Sequence, residues 1–531
     1  MLCWCSIALT VAIRLPTVLS AGFPLGDGGL FYSMMQAIQR AHYALPASSG
    51  YNMIPFEYPP LALYVATFLG SFTNIGLLSA LRFLPLAASA AAIVPFAWLA
   101  SRILRSQVSI AVAIFAYPLL PRSFSTLITG GGLTRSFGLI FSLSALVCAY
   151  EMYTNPRWVF TCLAALFSGL TVLSHLEMTW FLAISLVLLY GFYSRSARGA
   201  VSTVFTGIGA AAISAPWWLF ILRRVGLTAF IAAAHTGGAM TGSFFSVVVR
   251  FNITNEPFFP ILAGIAMAGL AVCLWRRQWF LPTWFLAVMV LDTRSFETDA
   301  AVPLALAIGI AINEIVLHDA SRSPSGENRT NNRPLIQVRS LLCRCLRPLP
   351  VALTIVALYS VFGSLVMLSG FDAPIPPEQR AAMAWIAANT QPDSSVLIIT
   401  GHTPWGSDNT SEWFPALTKR QSIATVQGSE WLPNGAFAHQ ISAYTAIQAC
   451  AQSDVTCLRH WEVTFKDPFS YIFMTRPSLP TTGSQSDSAD GRWALELALR
   501  ADPHYAIVYD RSSVVIFVVR DESLVTVGPA T

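Results

Sequence analysis

Apolar runs close to 20 residues long recur along the first 370 positions of the chain, each ended by a short polar joint. A helix of about 20 residues crosses the hydrocarbon core of a bilayer. The runs at 2–20, 78–101, 108–128, 133–150, 158–174, 176–193, 200–222, 257–275, 279–292, 300–317 and 350–369 therefore predict about eleven transmembrane helices. Leu61–Phe72 is also apolar but too short to span, and suits a helix lying along the membrane. From Pro374 the pattern changes. PPEQRAAMAWIAANT, YTAIQACAQSDVTCLRHW and RWALELALR read as helices, SSVLIIT and YIFMT as buried strands, and YAIVYDRSSVVIFVVR as a closing hairpin. Alternating helices and strands predict a small α/β domain with a partly parallel sheet.

Composition narrows the class. The 531 residues are 54% hydrophobic and 11% charged, against roughly 25% charged for soluble domains. This excludes a soluble enzyme, and the number of runs excludes a single signal peptide or anchor. A formal charge of +5 does not call for a nucleic-acid partner. The arginines lie between apolar runs, where they set orientation.

With the N-terminus inside and 60–72 not crossing, the inside loops hold Arg102, Arg105, Arg157, Arg195, Arg198, Arg276 and Arg277. The long polar stretch 318–349 adds Arg322, Arg329, Arg333, Arg339, Arg344 and Arg347. The outside loops hold fewer, and the positive-inside rule favours this parity. The expected organisation is a transmembrane domain over 1–370 and an extracytoplasmic α/β domain over 371–531. The first external loop covers 21–75, and the basic loop 318–349 is cytoplasmic. If the second domain is extracytoplasmic, Cys450 and Cys457 suit a local disulfide. Cys343 and Cys345 form no metal site by themselves.

The same parity gathers the ionisable residues on one face. Asp27 and Glu57 come out on the external side, with Arg122 and Arg135 around the Gly130–Gly132 run. His175 and Glu177 sit at a tight turn there, and Asp292, Arg294, Glu297 and Asp299 lie between two later spans. Burying such groups singly in lipid is costly, so one external cleft holding all of them is expected. Other readings stand beside this. Asp27 could cap the helix that follows it, His175 and Glu177 could satisfy each other, and Arg294 could belong to an ion-pair network. Arg14, inside the first run, is a functional residue or one that snorkels to the interface. Trp217 and Trp218 read as interface anchors. Trp413 and Trp431 could stack sugars, with fold packing the alternative.

A first span is followed by a loop with an early Asp27, then Glu57-Tyr58-Pro59-Pro60-Leu61, then a span opening Leu81-Arg82-Phe83-Leu84-Pro85. This layout resembles the GT-C superfamily of membrane glycosyltransferases, in the branch of the protein O-mannosyltransferases and the lipid A aminoarabinose transferase. The resemblance implies a GT-C-like helical domain and an inverting transfer of sugar from a polyprenyl-phosphate donor. The acceptor would be a lipid, glycan or protein reached from the external side. It maps the general base onto Asp27, since an attacking hydroxyl must shed its proton. The leaving lipid phosphate needs positive charge, which Arg supplies bidentately. Two positions depart from the family. Asp27-Gly28-Gly29 stands where many members have Asp-Glu, and Tyr58 stands where the aminoarabinose branch has Lys. Glu57 or His175 would then supply the second acid's role, and Arg135, Arg122 or Arg294 the phosphate contact. Tyr58, His175 and Glu177 complete the expected substrate-binding set. No cofactor is required by this chemistry, no metal ligands are assigned, and a divalent cation is possible. The rivals are an oligosaccharyltransferase-like enzyme with a diphosphate-linked donor, a lipid or sugar transporter, and a GT-C-like scaffold without activity.

Overall fold

The computed structural model describes residues 1–20, 26–52, 54–236, 247, 250–292, 294–317, 349–371, 374–476 and 493–520. The basic stretch 318–348, with Cys343 and Cys345, lies outside the described residues. Six helical stretches among those described are long and apolar enough to cross a membrane: Leu2–Leu19, Leu77–Ile103, Gly132–Thr154, Leu176–Tyr193, Ala197–Arg224 and Phe296–Glu314. The other expected spans appear as shorter apolar helices.

In chain order the helices are α1 (Leu2–Ser20), α2 (Gly28–Arg40), α3 (Leu61–Phe72), α4 (Leu77–Ala91), α5 (Ile93–Ile103), α6 (Gln107–Leu119) and α7 (Gly132–Thr154). Then come α8 (Trp158–Val172), α9 (Leu176–Tyr193), α10 (Ala197–Arg224), α11 (Thr228–His235), α12 (Ile261–Trp275) and α13 (Phe280–Leu291). A single turn at Phe296–Asp299 leads into α14 (Ala301–Ala311), which runs on into a π-helical stretch, Ile312–Leu317; α15 (Leu349–Phe371) follows.

Both ends of α3 lie at one end of the bundle. Its first amide, Leu61 N, donates to Leu173 O at 2.9 Å, just before His175. At its far end Gly76 N donates to Gly70 O at 3.2 Å and the chain turns into α4. One turn into α4, Arg82 caps α1, with Nη2 on Leu19 O at 2.8 Å and Nε on Val18 O. The apolar run at 61–72 therefore lies across the bundle instead of passing through it. Arg14 does not snorkel. It is buried, donates to Ser89 Oγ at 2.7 Å and sits 4.6 Å from the Phe124 ring centroid.

The C-terminal domain contains α16 (Pro377–Asn389), β1 (Ser395–Ile399), α17 (Asn409–Thr418), β2 (Gln421–Ile423), α18 (Ala436–Ala449), α19 (Val455–Phe465), β3 (Tyr471–Thr475), α20 (Ala494–Ala501), β4 (Tyr505–Arg511) and β5 (Val514–Val519). The strand order is β2-β1-β3-β5-β4. β1 runs parallel to β2 and β3, and β5 is antiparallel to β3 and β4. The expected mixed sheet and hairpin are present, and Cys450 and Cys457 form a disulfide.

Strand alternation divides the core of this domain. Leu397, Ile399, Ile472, Met474, Val515 and Phe517 face α18, α19 and α20. Val396, Ile398, Phe473, Val514 and Ile516 face the other way, and with Trp413 and Phe414 of α17 they join one buried cluster with Leu30, Phe31 and Met34 of α2 and Leu63 of α3. The domain thus shares its core with the loop that carries Asp27. Close approach explains the two glycines after that residue. A Cβ on Gly28 would lie 2.6 Å from Trp413 Cζ2, and one on Gly29 would lie 2.5 Å from Glu412 O. A glutamate in place of Gly28 has no room while Trp413 stands there. Gly29→Ala is expected to cost about 1–3 kcal/mol, since the obstacle is backbone and α2 must lift from α17. Thermal unfolding, with faster hydrogen exchange confined to α2 and α17, would register it.

Candidate active site

The N-terminus of α7 organises the site. Gly131, Arg135 and Gly138 recur at helical spacing and so share one face. Gly131 N donates to Asp27 Oδ1 at 2.7 Å. Asp27 precedes α2 but makes no side-chain cap to it. It caps α7 instead, where the helix dipole favours a carboxylate. Gly26, at φ +67°, turns the chain into this position, a conformation that glycine adopts without penalty. The main chain is pinned from the C-terminal domain. Gln427 Nε2 donates to Asp27 O at 2.5 Å, and Gly26 N donates to Asn409 Oδ1 at 3.0 Å. Tyr51, from the same loop, donates to Glu412 O at 2.6 Å.

Around this carboxylate lie the expected charges. Glu177 is the hub. Its Oε2 takes Arg135 Nη2 at 3.1 Å and Ser295 Oγ at 2.6 Å, and its Oε1 takes Arg294 Nε at 2.5 Å. His175 Nε2 stands 3.9 Å from Glu177 Oε2. A Cβ at Gly138 would meet His175 Cβ at 2.9 Å, so α7 must be smooth at that point for the imidazole to pack. Burial, helped by the Arg135 and Arg294 charges and opposed by Glu177, pushes His175 down to about 3. It is a neutral imidazole at physiological pH, with Nδ1 buried and unpartnered among the described residues. Arg294 also reaches Thr236 Oγ1, and its side chain is 40% exposed. It is more exposed than Arg135 (24%) or Arg122 (18%), which gives it the best reach to a ligand. Arg122 is committed to Glu297 at 2.5 Å.

Burial raises the Asp27 carboxyl above its ordinary range; the Arg135 charge and the Gly131 amide pull the other way. The C-terminal domain adds two buried acids, Glu412 and Glu430, whose carboxyls burial also raises and which feel Asp27. Among the described residues no three His, Cys, Asp or Glu side chains group to hold a metal ion.

Glu57 is placed elsewhere. It is buried near α10, its carbonyl accepts from Trp217 Nε1 at 3.2 Å, and Arg224 is the charge that acts on it. Burial pushes it up to about 7, and both carboxylate oxygens lack partners among the described residues. The structure does not bring it to Asp27 as a second acid. Tyr58, the next residue, does face inward. Its ring packs against Trp431, centroids 5.1 Å apart and planes tilted by 52°, and it feels Arg294 and Asp27. Trp217 is buried on the Glu57 carbonyl and is no interface anchor; an indole N–H taken out of water needs an acceptor, and that carbonyl supplies one. Trp413 and Trp431 are buried in packing.

Several residues of the site escaped the sequence reading. The Gly131-x-x-x-Arg135-x-x-Gly138 stripe was readable as a helix face that a neighbour must approach closely. Gln427, Glu412 and Ser295 carry no local signal, because each acts across a long sequence separation.

No family model matches the chain, and no curated protein sequence matches it. Solved structures do match. ArnT from Cupriavidus metallidurans superimposes with a TM-score of 0.53 over 99% of this chain and 99% of its own, at 15% identity. The archaeal oligosaccharyltransferase AglB from Archaeoglobus fulgidus, solved with an inhibitory peptide and a dolichol-phosphate, gives 0.53 over 89% of this chain and 69% of its own, at 14% identity. The arabinofuranosyltransferase AftD from Mycobacteria gives 0.52 over 97% of this chain and 41% of its own, at 16% identity. The fold is of the GT-C type. In this GT-C fold the network on Glu177 fixes where the two arginines point. Glu177→Gln is expected to cost about 2 kcal/mol, because two charge-assisted bonds weaken and two cations are left facing each other. Thermal unfolding of the purified protein measures that loss.

Proposed function

We propose that this chain is an inverting glycosyltransferase that moves a sugar from a polyprenyl-phosphate donor to an acceptor hydroxyl at the Asp27 end of the bundle. The observation that carries this reading is the Asp27 carboxylate, held on the N-terminus of α7 at 2.7 Å beside the Arg135–Glu177–Arg294 network. Asp27 takes the proton of the acceptor hydroxyl as its oxygen attacks the anomeric carbon. The bond from that carbon to the phosphate oxygen breaks from the opposite face, and its electron pair leaves on the lipid phosphate. Arg294, the more exposed cation, meets the growing negative charge, while Arg135 holds Glu177 and biases Asp27 toward the carboxylate. Neutral His175 offers a hydrogen bond to a sugar hydroxyl and adds no charge. Thr236 and Glu430 border a cavity of about 400 Å³ between α11 and the C-terminal domain, a route by which an acceptor can reach Arg294. A fold shared with enzymes named as glycosyltransferases supports the reaction class, and the dolichol-phosphate in AglB supports a lipid phosphate as donor.

The test is to incubate the purified protein with radiolabelled polyprenyl-phosphate sugars and native membranes. Transfer from one donor is the expected result. If no donor is consumed, even by hydrolysis, the reading fails and a scaffold or transporter takes its place.

A further inference from the structure

At the end of the bundle opposite Asp27, the ends of α5, α9, α12 and α14 enclose a cavity of about 660 Å³. Five arginines line it, Arg102, Arg105, Arg195, Arg276 and Arg277, against a single lining acid, Glu314. Two of the arginines brace the walls: Arg102 pairs with Glu151 at 2.6 Å and Arg276 with Glu314 at 2.5 Å. Arg105, Arg195 and Arg277 have no carboxylate at ion-pair distance among the described residues. Clustered like charges repel; the positive-inside bias accounts for arginines at this end of the bundle, and an anion shared in the cavity relieves the repulsion of those that converge on it.

Backbone geometry points the same way. Arg195 and Arg277 each follow a helix C-terminus with φ at +48° and +58°, a position where glycine is the unstrained choice. Arginine stands there twice, both times at the cavity wall. The π-helical stretch Ile312–Leu317 brings Asn313 and Glu314 to the same wall, and such stretches are frequent at functional sites. Asn313 accepts from Ser106 Oγ at 2.7 Å and so ties that wall to the α5–α6 joint.

We propose that this cavity binds the phosphate of an anionic lipid headgroup. Its rim decides between a lipid and a soluble phosphate ester. Leu274, Trp275 and Trp279 are exposed beside it, so apolar surface for acyl chains adjoins the cationic mouth. Basic pockets between membrane helices hold anionic headgroups in this way. The site is separate from the Asp27 centre and does not depend on the proposed reaction.

The experiment is native mass spectrometry of the full chain in detergent, titrated with palmitoyl-oleoyl phosphatidylglycerol, with the phosphatidylcholine analogue, or with inorganic phosphate. The comparison protein carries Arg105→Gln, Arg195→Gly and Arg277→Gly. At roughly 1 kcal/mol per arginine near the headgroup, this variant is expected to bind phosphatidylglycerol on the order of 100-fold more weakly, with phosphatidylcholine unchanged. The glycines relieve two left-handed arginines, so its lipid-free unfolding temperature should not fall. Should the triple variant fold poorly, Arg277→Gly alone is expected to lose about 5-fold. Equal retention of phosphatidylglycerol by the variants, or no preference of the wild type for it over phosphatidylcholine, overturns the proposal. Protection by inorganic phosphate equal to that by the lipid also overturns it, in favour of a soluble phosphate ligand.

Discussion

Asp27→Asn is expected to lower sugar transfer by about 10²–10⁴-fold while leaving the protein folded. The amide matches the carboxylate in size, and its oxygen can still accept the Gly131 N–H that Asp27 Oδ1 takes at 2.7 Å. What it loses is basicity. Donor binding should survive, because the charge facing the phosphate comes from Arg294. The pH profile of the wild type carries the same signature. Burial raises the Asp27 carboxyl, more than Arg135 and Gly131 lower it. A base works when deprotonated, so activity is present above its pKa and is lost as pH falls through it. The acid limb of kcat/KM should therefore lie above the ordinary Asp value of about 3.9. A scaffold or transporter would keep its phenotype in the variant, and unchanged transfer would remove Asp27 from the chemistry.

The helices at 2–20, 133–150 and 176–193 were legible because a span is a local property: about 20 apolar residues in a row suffice to name one. The short α3 was legible for the complementary reason, and the hydrogen bonds of Leu61 and Gly76 place both its ends at one end of the bundle. Arginine parity went further and brought Arg135, His175, Glu177 and Arg294 to Asp27, as the Glu177 contacts show. Parity reports the end of the bundle to which a residue belongs, and nothing about its neighbours there. Glu57 shows that limit. It lies in the same loop as Asp27, yet it is turned toward α10 and Arg224. The docking of α17 was hidden as well. It depends on Gln427 meeting Asp27 and Tyr51 meeting Glu412, pairings set by tertiary packing. A trace of it did show in Asp27-Gly28-Gly29. That departure from the family pattern is the space Trp413 requires.

Gly131→Ala is expected to lower sugar transfer on the order of 10²-fold, the lower end of the loss expected for Asp27→Asn, although Asp27 itself is untouched. An added Cβ would lie 2.0 Å from Asp27 Oδ2, 2.2 Å from Oδ1 and 2.3 Å from Cγ. The side chain must turn or withdraw from the α7 terminus, because the main chain cannot follow: Asp27 O is held by Gln427 and Gly26 N by Asn409. The carboxylate must move by more than 1 Å to reach ordinary van der Waals distance. A displacement of about 1 Å in a reacting group costs on the order of 10²-fold in rate. The same shift breaks the hydrogen bond that the Gly131 N–H donates to Asp27 Oδ1 and takes the carboxylate away from the α7 terminus, so its pKa should rise further. The acid limb of any residual activity should then move to higher pH than in the wild type, a change that loss of folded protein cannot produce. Gly132 makes the control. A Cβ there would meet Leu127 O at 2.2 Å, on the side away from the carboxylate, so Gly132→Ala should cost stability without shifting the pH limb. If Gly131→Ala transfers sugar at the wild-type rate, the carboxylate held against α7 is not the group that takes the proton.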